Sequence, residues 1–207
     1  MLPGTRIARG QASEQASGQN VAAELTDATE VPFENGRAMP PSVYTSPDFL
    51  ALELASIFRG QWICVGRASA IPEAGDYLTY EVAGQPVIVL RGADGGVRAF
   101  SNVCLHRMSV LLHGRGRVQA IVCPYHAWTY GLDGALRGAP QMRASPGFRR
   151  QDYRLPEIRS ETWLGWIYVT LDPSLPPVAE HLAPVAALVG RYGMEHYVET
   201  FREEHVW

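Results

Sequence analysis

The sequence contains no lysine, and all 18 of its basic residues are arginines. Three cysteines in 207 residues are too few for the disulfide framework of a small secreted protein. The chain has no run of about 18 apolar residues, and its start does not join basic side chains to an apolar stretch as a secretory signal does. The net charge is −3, and no nucleic-acid recognition motif occurs. These absences predict a soluble, cytoplasmic protein that binds neither membranes nor nucleic acids.

Two short pairs of metal-ligating residues lie near the middle of the chain. Each pair joins one cysteine to one histidine: Cys104-Leu105-His106, and then Cys123-Pro124-Tyr125-His126. Each pair is short enough to lie on a single loop. Two such loops that face each other can hold a [2Fe–2S] cluster, with two cysteines on one iron and two histidines on the other. The pattern therefore predicts a one-electron redox centre with these four residues as its ligands.

Zinc is the nearest chemical alternative. A set of two cysteines and two histidines also satisfies tetrahedral Zn²⁺, and the chain would then be a zinc-stabilised binding module. Zinc fingers usually pair cysteine with cysteine and histidine with histidine, whereas both pairs here are mixed. A spacing of one residue between Cys104 and His106 is also tight for two ligands of one ion. A two-iron cluster relieves this strain, because each loop divides its ligands between two irons, and the pattern favours the cluster.

The residues around the two pairs resemble those of a known family. Residues 102–107 (NVCLHR) and 123–134 (CPYHAWTYGLDG) look like the two cluster-binding loops of Rieske non-haem iron oxygenases. Within that family they resemble the α subunit of ring-hydroxylating and N-demethylating enzymes. Met108 stands where the family often has glycine, so the backbone of the first loop is expected to differ slightly. The resemblance implies a Rieske cluster held by Cys104, His106, Cys123 and His126, with His126 passing the electron through a neighbouring subunit's aspartate to a catalytic iron.

The same resemblance implies an oxidoreductase, a monooxygenase or dioxygenase, whose catalytic domain is missing from this chain. The family holds a mononuclear Fe(II) with an Asp-x₂-His-x₄-His pattern that is absent here, and His181, His196 and His205 do not replace it. No catalytic residue is therefore predicted, and this fragment alone is not expected to activate oxygen. The expected partners are a ferredoxin or flavin reductase that takes electrons from NAD(P)H, and further copies in a homotrimer or other oligomer. A stand-alone Rieske ferredoxin, which is a simple electron carrier, is the alternative.

The pattern of apolar and turn residues predicts four segments. Residues 1–42 are expected to be a disordered extension, and 43–60 an N-terminal helical segment whose helix follows the Ser46 cap and runs over about 47–58. Residues 61–160 are expected to form the Rieske domain, and 161–207 the truncated start of the catalytic domain. Short β-like runs divided by turn residues predict a mostly β fold, a small antiparallel sandwich with the cluster loops at one end. After it we expect a strand over 162–171, a helix over 180–191 and a strand over 196–207.

Several residues near the ligand pairs are further candidates. Tyr125, Trp128 and Tyr130 could shield the cluster from water and help tune its potential, with ordinary aromatic core as an equally good alternative. Arginines outnumber acids in residues 101–159, and such a positive patch could dock an acidic electron donor or be a plain solvated face. Cys64, in an apolar strand, is predicted to be a buried structural thiol. The arginines proposed for donor docking are Arg107, Arg115 and Arg117.

Overall fold

The computed structural model describes residues 20–36, 38–142 and 145–201, together with residues 203 and 205. The chain consists of two compact units, one that ends at Arg59 and one that begins at Gly60. None of the helices in the described ranges has the length and apolar character needed to cross a membrane.

The first unit is helical. Residues 20–29 form a helix although the sequence predicted an extension there, because alanine, glutamate and leucine in this stretch favour helix. None of residues 20–36 is buried, and residues 1–19 of the predicted extension lie outside the described part. Short helices follow at Phe33–Asn35 and Pro41–Thr45.

The predicted N-terminal helix is confirmed at its start and modified at its end. The Ser46 hydroxyl accepts the backbone N–H of Phe49 at 3.2 Å, which is the predicted N-cap. The α-helix runs over Pro47–Glu53 and continues as a π-helical turn over Leu54–Phe58. Both pieces together cover the span that the apolar spacing predicted.

The second unit consists of two antiparallel sheets. The large sheet has seven strands in the order β1-β10-β9-β4-β3-β2-β5, and the small sheet has three in the order β6-β7-β8. The predicted series of short strands is present, but β5 and β8 were not predicted as strands. The strands are β1 (Ile63–Arg67), β2 (Asp76–Val82), β3 (Gln85–Arg91), β4 (Val97–Ser101), β5 (Arg115–Arg117), β6 (Ile121–Val122), β7 (Thr129–Tyr130), β8 (Leu136–Gly138), β9 (Glu157–Trp163) and β10 (Trp166–Thr170).

Strand β3 is buried on both faces and separates two apolar clusters. Val87 and Val89 point into one cluster, which also contains Ile167 from β10. Ile88 and Leu90 point to the opposite face, into the second apolar cluster, which contains both candidate cysteine ligands, Cys104 and Cys123. A strand covered on both faces has a continuous apolar run instead of alternation, and β3 has one. The loops that carry the cysteines therefore pack against the core of the sandwich.

Segments after residue 156 differ from the sequence prediction. The single strand predicted over 162–171 is wrong, because β9 and β10 form a hairpin around Leu164 and Gly165. Both residues have positive φ, 48° and 77°, as a two-residue hairpin turn requires. A Cβ at Gly165 would lie 2.5 Å from the Arg67 guanidinium, so only glycine fits there.

The C-terminal region contains short helices where one longer helix was expected. Helical residues occupy Val178–His181, which begins two residues before the predicted helix of 180–191, and Ala183–Val189, which lies inside it. The predicted strand over 196–207 is wrong in the described part, where residues 197–201 form no strand. Alternation alone does not make a strand without a neighbouring edge to pair with. Cys64 is also exposed, which corrects its prediction as a buried thiol.

Candidate metal centre

Two loops of the same backbone form carry the four candidate ligands. In the first loop, Cys104–Ser109, the N–H of Cys104 donates to the carbonyl of Ser109 at 2.8 Å, and Met108 N–H donates to the Cys104 carbonyl at 3.0 Å. In the second loop, residues 123–128, the same two bonds join Cys123 to Trp128 and Ala127 at the same distances. Met108 and Ala127 both have φ of 55°. The two loops are thus matched turns, each beginning at its cysteine.

The first loop is closed at its base by Asn102. This buried side chain donates from Nδ2 to the Leu112 carbonyl at 2.7 Å and accepts the Leu112 N–H at 2.9 Å. A further bridge pairs Val103 with Val110. The second loop joins β6 to β7, whose pairing holds its ends together. The sequence motif of the first loop includes Asn102, but nothing in it predicts that this side chain closes the base of the loop.

The candidate ligand side chains of the two loops lie close together. The rings of His106 and His126 meet edge to face with centroids 4.8 Å apart. The thiols of Cys104 and Cys123 are buried and interact with each other. The described residues contain no group of three or more His, Cys, Asp or Glu gathered around a single-ion site. A two-iron cluster takes only two of these ligands per iron.

Three buried nitrogen atoms in this site have no hydrogen-bond partner within the described part of the chain: Nδ1 of His106, Nδ1 of His126 and Nε1 of Trp128. The indole nitrogen can only donate a hydrogen bond, so the two imidazole nitrogens are the ones that could bind a metal. Buried polar atoms in proteins are nearly always paired, so an orphaned pair demands an explanation. A metal centre that takes one nitrogen from each ring provides it. The donor set of two buried thiols and two unpaired imidazole nitrogens fits a Rieske-type cluster.

The surroundings shift Cys123 and His126 toward the protonation states that bind metal, and shift Cys104 away from its metal-binding thiolate form. Burial raises the pKa of the Cys104 thiol. Burial also opposes ionisation of Cys123, but backbone N–H groups of Tyr125 and His126 outweigh it and lower the pKa of that thiol. Desolvation, followed by the nearby His106 and Arg107, lowers the pKa of His126, which keeps its imidazole neutral. Thiolate and neutral imidazole are the forms that bind metal.

Trp128 and Tyr125 contact one candidate histidine each. Trp128 is 3% exposed, and its indole stacks on His106 with centroids 4.9 Å apart and an angle of 11°. Tyr125 is 56% exposed, and its ring centroid lies 3.8 Å from that of His126. Trp128 is therefore placed to keep water from His106, whereas Tyr125 covers His126 on the solvent side. Their role in shielding stays a prediction that this geometry favours.

The three arginines proposed for donor docking have different surroundings. Arg107 lies over the Tyr125 ring at 5.5 Å. Arg117 forms an ion pair of 2.6 Å with Asp76, and Arg115 lies 3.8 Å from Glu199. Carboxylates therefore offset two of the three charges.

Comparisons with known proteins agree with the site. Residues 61–157 match the family model of the Rieske [2Fe-2S] domain. The oxygenase subunit of carnitine monooxygenase from Escherichia coli strain K12 is 35% identical over 152 residues, which cover 73% of this chain and 41% of that protein. The oxygenase subunit of glycine betaine monooxygenase from Pseudomonas aeruginosa is 36% identical over 170 residues, covering 81% and 37%. The chain thus spans about two-fifths of the length of these curated relatives.

A solved structure shows the same fold. The apo form of the quaternary ammonium Rieske monooxygenase CntA superposes with a TM-score of 0.71 at 32% identity, covering 77% of this chain and 48% of that one. This likeness confirms the predicted mostly β, antiparallel sandwich with helices at both ends.

Proposed function

We propose that this chain, whose residues 61–157 belong to the Rieske [2Fe–2S] domain family, passes single electrons to the oxygen-activating site of an oxygenase. The family predicted from the two loops is confirmed, and its cofactor is a Rieske-type [2Fe–2S] cluster. The identity of the ligands and the direction of electron flow are the proposal. The proposed ligands are Cys104, His106, Cys123 and His126.

One observation carries the ligand assignment. The Nδ1 atoms of His106 and His126 are buried and unpaired in the described residues, on two turns of matched backbone that each begin at a buried cysteine. Matched turns present their cysteines and histidines to a common point from two sides. Each turn would give its sulfur to one iron and its nitrogen to the other.

The residues of the site suit a reversible one-electron carrier. A cluster with this ligand set accepts one electron at roughly −150 to +300 mV, compared with about −400 mV for plant-type clusters held by four cysteines. Trp128 covers His106 from the protein side, and the ring of Tyr125 packs on His126, which itself lines an open hollow. The electron would leave by His126, because its neighbour Tyr125 is more than half exposed.

The whole protein is proposed to be an oxygenase that acts with a reductase. Its relatives are named as oxygenase subunits of carnitine and glycine betaine monooxygenases, so small quaternary ammonium compounds are the first substrates to test. The three-ligand iron pattern of the family is absent from these 207 residues. The oxygen-activating iron would therefore belong to a part of the protein outside this sequence. A ferredoxin or flavin reductase would supply electrons from NAD(P)H, and the whole protein would assemble as a homotrimer or other oligomer.

Anaerobic reconstitution with iron and sulfide tests this proposal. The expected product is red-brown, contains iron and acid-labile sulfide in equal amounts, and gives a Rieske-type EPR signal on reduction with dithionite. His126→Ala should abolish the signal, whereas His113→Ala, at an exposed loop histidine outside the site, should retain it. A colourless product that contains only zinc would reject the proposal.

A further inference from the structure

A concavity of about 730 Å³ opens beside the second loop. Its wall is formed by Ala127 at the end of that loop, by Thr129 of β7, and by Arg137 and Gly138 of β8. Phe148 and Arg150, from the segment that precedes β9, complete it. It is an open hollow on the surface next to the cluster site, large enough to receive side chains of a second protein.

The concavity has a positive charge that carboxylates only partly offset. Arg150 donates to the Arg137 carbonyl at 2.6 Å and forms no ion pair with any of the described residues. Arg137 pairs with Asp133 at 2.7 Å, and the side chain of Arg137 is 61% exposed. Two further arginines follow in the sequence: Arg149 pairs with Asp152, and Arg154 lies near the same Asp133. Of these four arginines, Arg150 alone has no carboxylate partner among the described residues.

Aromatic contacts connect this concavity to one ligand ring. Phe148 lines the hollow, and its ring centroid lies 5.7 Å from that of buried Trp128. Trp128 stacks in turn on His106 at 4.9 Å. Tyr153 contacts both Phe148 and Trp128, at 4.9 and 5.8 Å. A continuous path of packed rings therefore runs from the floor of the concavity to His106.

His126 has a separate aromatic neighbour. Its ring packs on exposed Tyr125, over which Arg107 lies, and neither residue belongs to the path through Trp128. Both histidines also line a second hollow of about 570 Å³ at the second loop. Phe148 and Arg150 line the first concavity and not this second hollow. The ring path through Trp128 is therefore an approach to His106 in addition to the hollow that the two histidines share.

We propose that the concavity docks an acidic one-electron donor protein, whose electron reaches the cluster through Phe148, Trp128 and His106. The inference rests on the proposed function and assigns the donor to the His106 side, leaving His126 for the acceptor. Charge complementarity selects the donor, because an acidic surface is attracted to Arg150 and its neighbouring arginines. The donor's reduced centre loses one electron and the cluster gains one, and no proton or further reactant is consumed.

Stopped-flow reduction of the reconstituted chain by an acidic, reduced plant-type ferredoxin tests the docking surface. Electron transfer from such a donor to a Rieske-type cluster is downhill, because a plant-type cluster has the lower reduction potential. Arg150→Glu should lower the second-order rate constant about tenfold at low ionic strength, with Arg150→Gln intermediate, because steering by charge is lost. Arg191→Glu is the matched control, because Arg191 is an exposed arginine outside the concavity that, like Arg150, pairs with no carboxylate among the described residues. It should change the rate by less than about twofold, and the effect of Arg150→Glu should vanish in high salt.

The outcomes separate this inference from the proposed function. If Arg150→Glu leaves the rate unchanged, or Arg191→Glu slows it equally, the concavity is not the docking surface. Retention of the dithionite-reduced EPR signal in every variant shows that the fold and cluster are intact. If the wild-type chain gives no such signal, the proposed function itself fails, independently of where any donor binds.

Discussion

The hydroxyl group of Tyr130 lies 3.4 Å from the sulfur of Cys104 and accepts the backbone N–H of Leu105 at 3.1 Å. The Tyr130 side chain is fully buried, and burial together with Cys104 raises its pKa, so the hydroxyl keeps its proton. Because Leu105 occupies a lone pair of this oxygen, the proton is available to the sulfur. A hydrogen bond to a ligand sulfur stabilises the added negative charge of a reduced cluster more than the oxidised state.

Tyr130→Phe should therefore lower the reduction potential. If the bond favours the reduced state by about 1 kcal/mol, the shift is on the order of 40 mV for a one-electron couple. Potentiometric titration followed by EPR measures it. Tyr153→Phe is the control, because the Tyr153 ring packs on Trp128 and its hydroxyl makes no hydrogen bond to the described residues. Equal potentials in wild type and Tyr130→Phe would reject the role of this contact.

The backbone at Met108 makes a prediction about stability. Its φ of 55° lies in the left-handed region, and its side chain is 74% exposed. This geometry explains why glycine suits the position. β-Branched residues tolerate the left-handed region poorly, so Met108→Val should lower the free energy of unfolding by roughly 1–2 kcal/mol, whereas Met108→Gly should be nearly neutral. Urea denaturation measures the free energy of unfolding of both variants. Equal values for Met108→Val and Met108→Gly would show that this turn is not strained.

We expect Asn102 to stabilise the first loop, although it is not itself a candidate ligand. Asn102→Leu keeps the approximate volume but leaves the Leu112 N–H and carbonyl unpaired in a partly buried place. We expect a loss of about 2–4 kcal/mol in the free energy of unfolding, together with broadened EPR lines because the first loop is no longer held in one conformation. Thr79→Val, which removes a single exposed hydrogen bond to Gly114, is the control. If Asn102→Leu has the same free energy of unfolding and the same EPR line width as wild type, Asn102 does not hold the first loop.

The ion pair between Asp76 and Arg117 makes a prediction about pH. The hydrogen bond from Arg117 holds the pKa of Asp76 below its usual range. A carboxylate with a depressed pKa in the folded state stabilises the fold above its usual pKa of about 3.9, and the contribution disappears as the pH falls through the folded value. Asp76→Asn should therefore lower the urea midpoint at pH 7 and make little difference at about pH 2. A difference that does not depend on pH would show that the pair acts by packing alone.

The ligand loops could be predicted because their signal is local. Each pair lies within four residues, and mixed Cys-His pairs at this spacing have few other uses. The strand β3 could be predicted for the same reason, since its apolar run is continuous. The supporting contacts could be predicted only in part. Tyr130 was one of three aromatic residues predicted either to serve the cluster or to be ordinary core, and its hydroxyl meets Cys104 only after β7 has paired with β6.

The errors also have physical causes. The hairpin at Leu164 and Gly165 has a turn pair that is unusual in two-residue turns, and the apolar residues on both sides conceal it. Strand β5, Arg115–Arg117, is three exposed residues that become a strand only because β2 offers an edge to pair with. The predicted strand over 196–207 had alternation, but no sheet edge pairs with its described residues.

The most direct test of the central claim uses reconstituted protein in which the histidines carry ¹⁵N. Pulsed EPR of the reduced sample should show two strongly coupled nitrogens, and His106→Ala and His126→Ala should each disturb both the couplings and the cluster. A reduced iron–sulfur signal without any strongly coupled histidine nitrogen would contradict the ligand assignment and the function built on it.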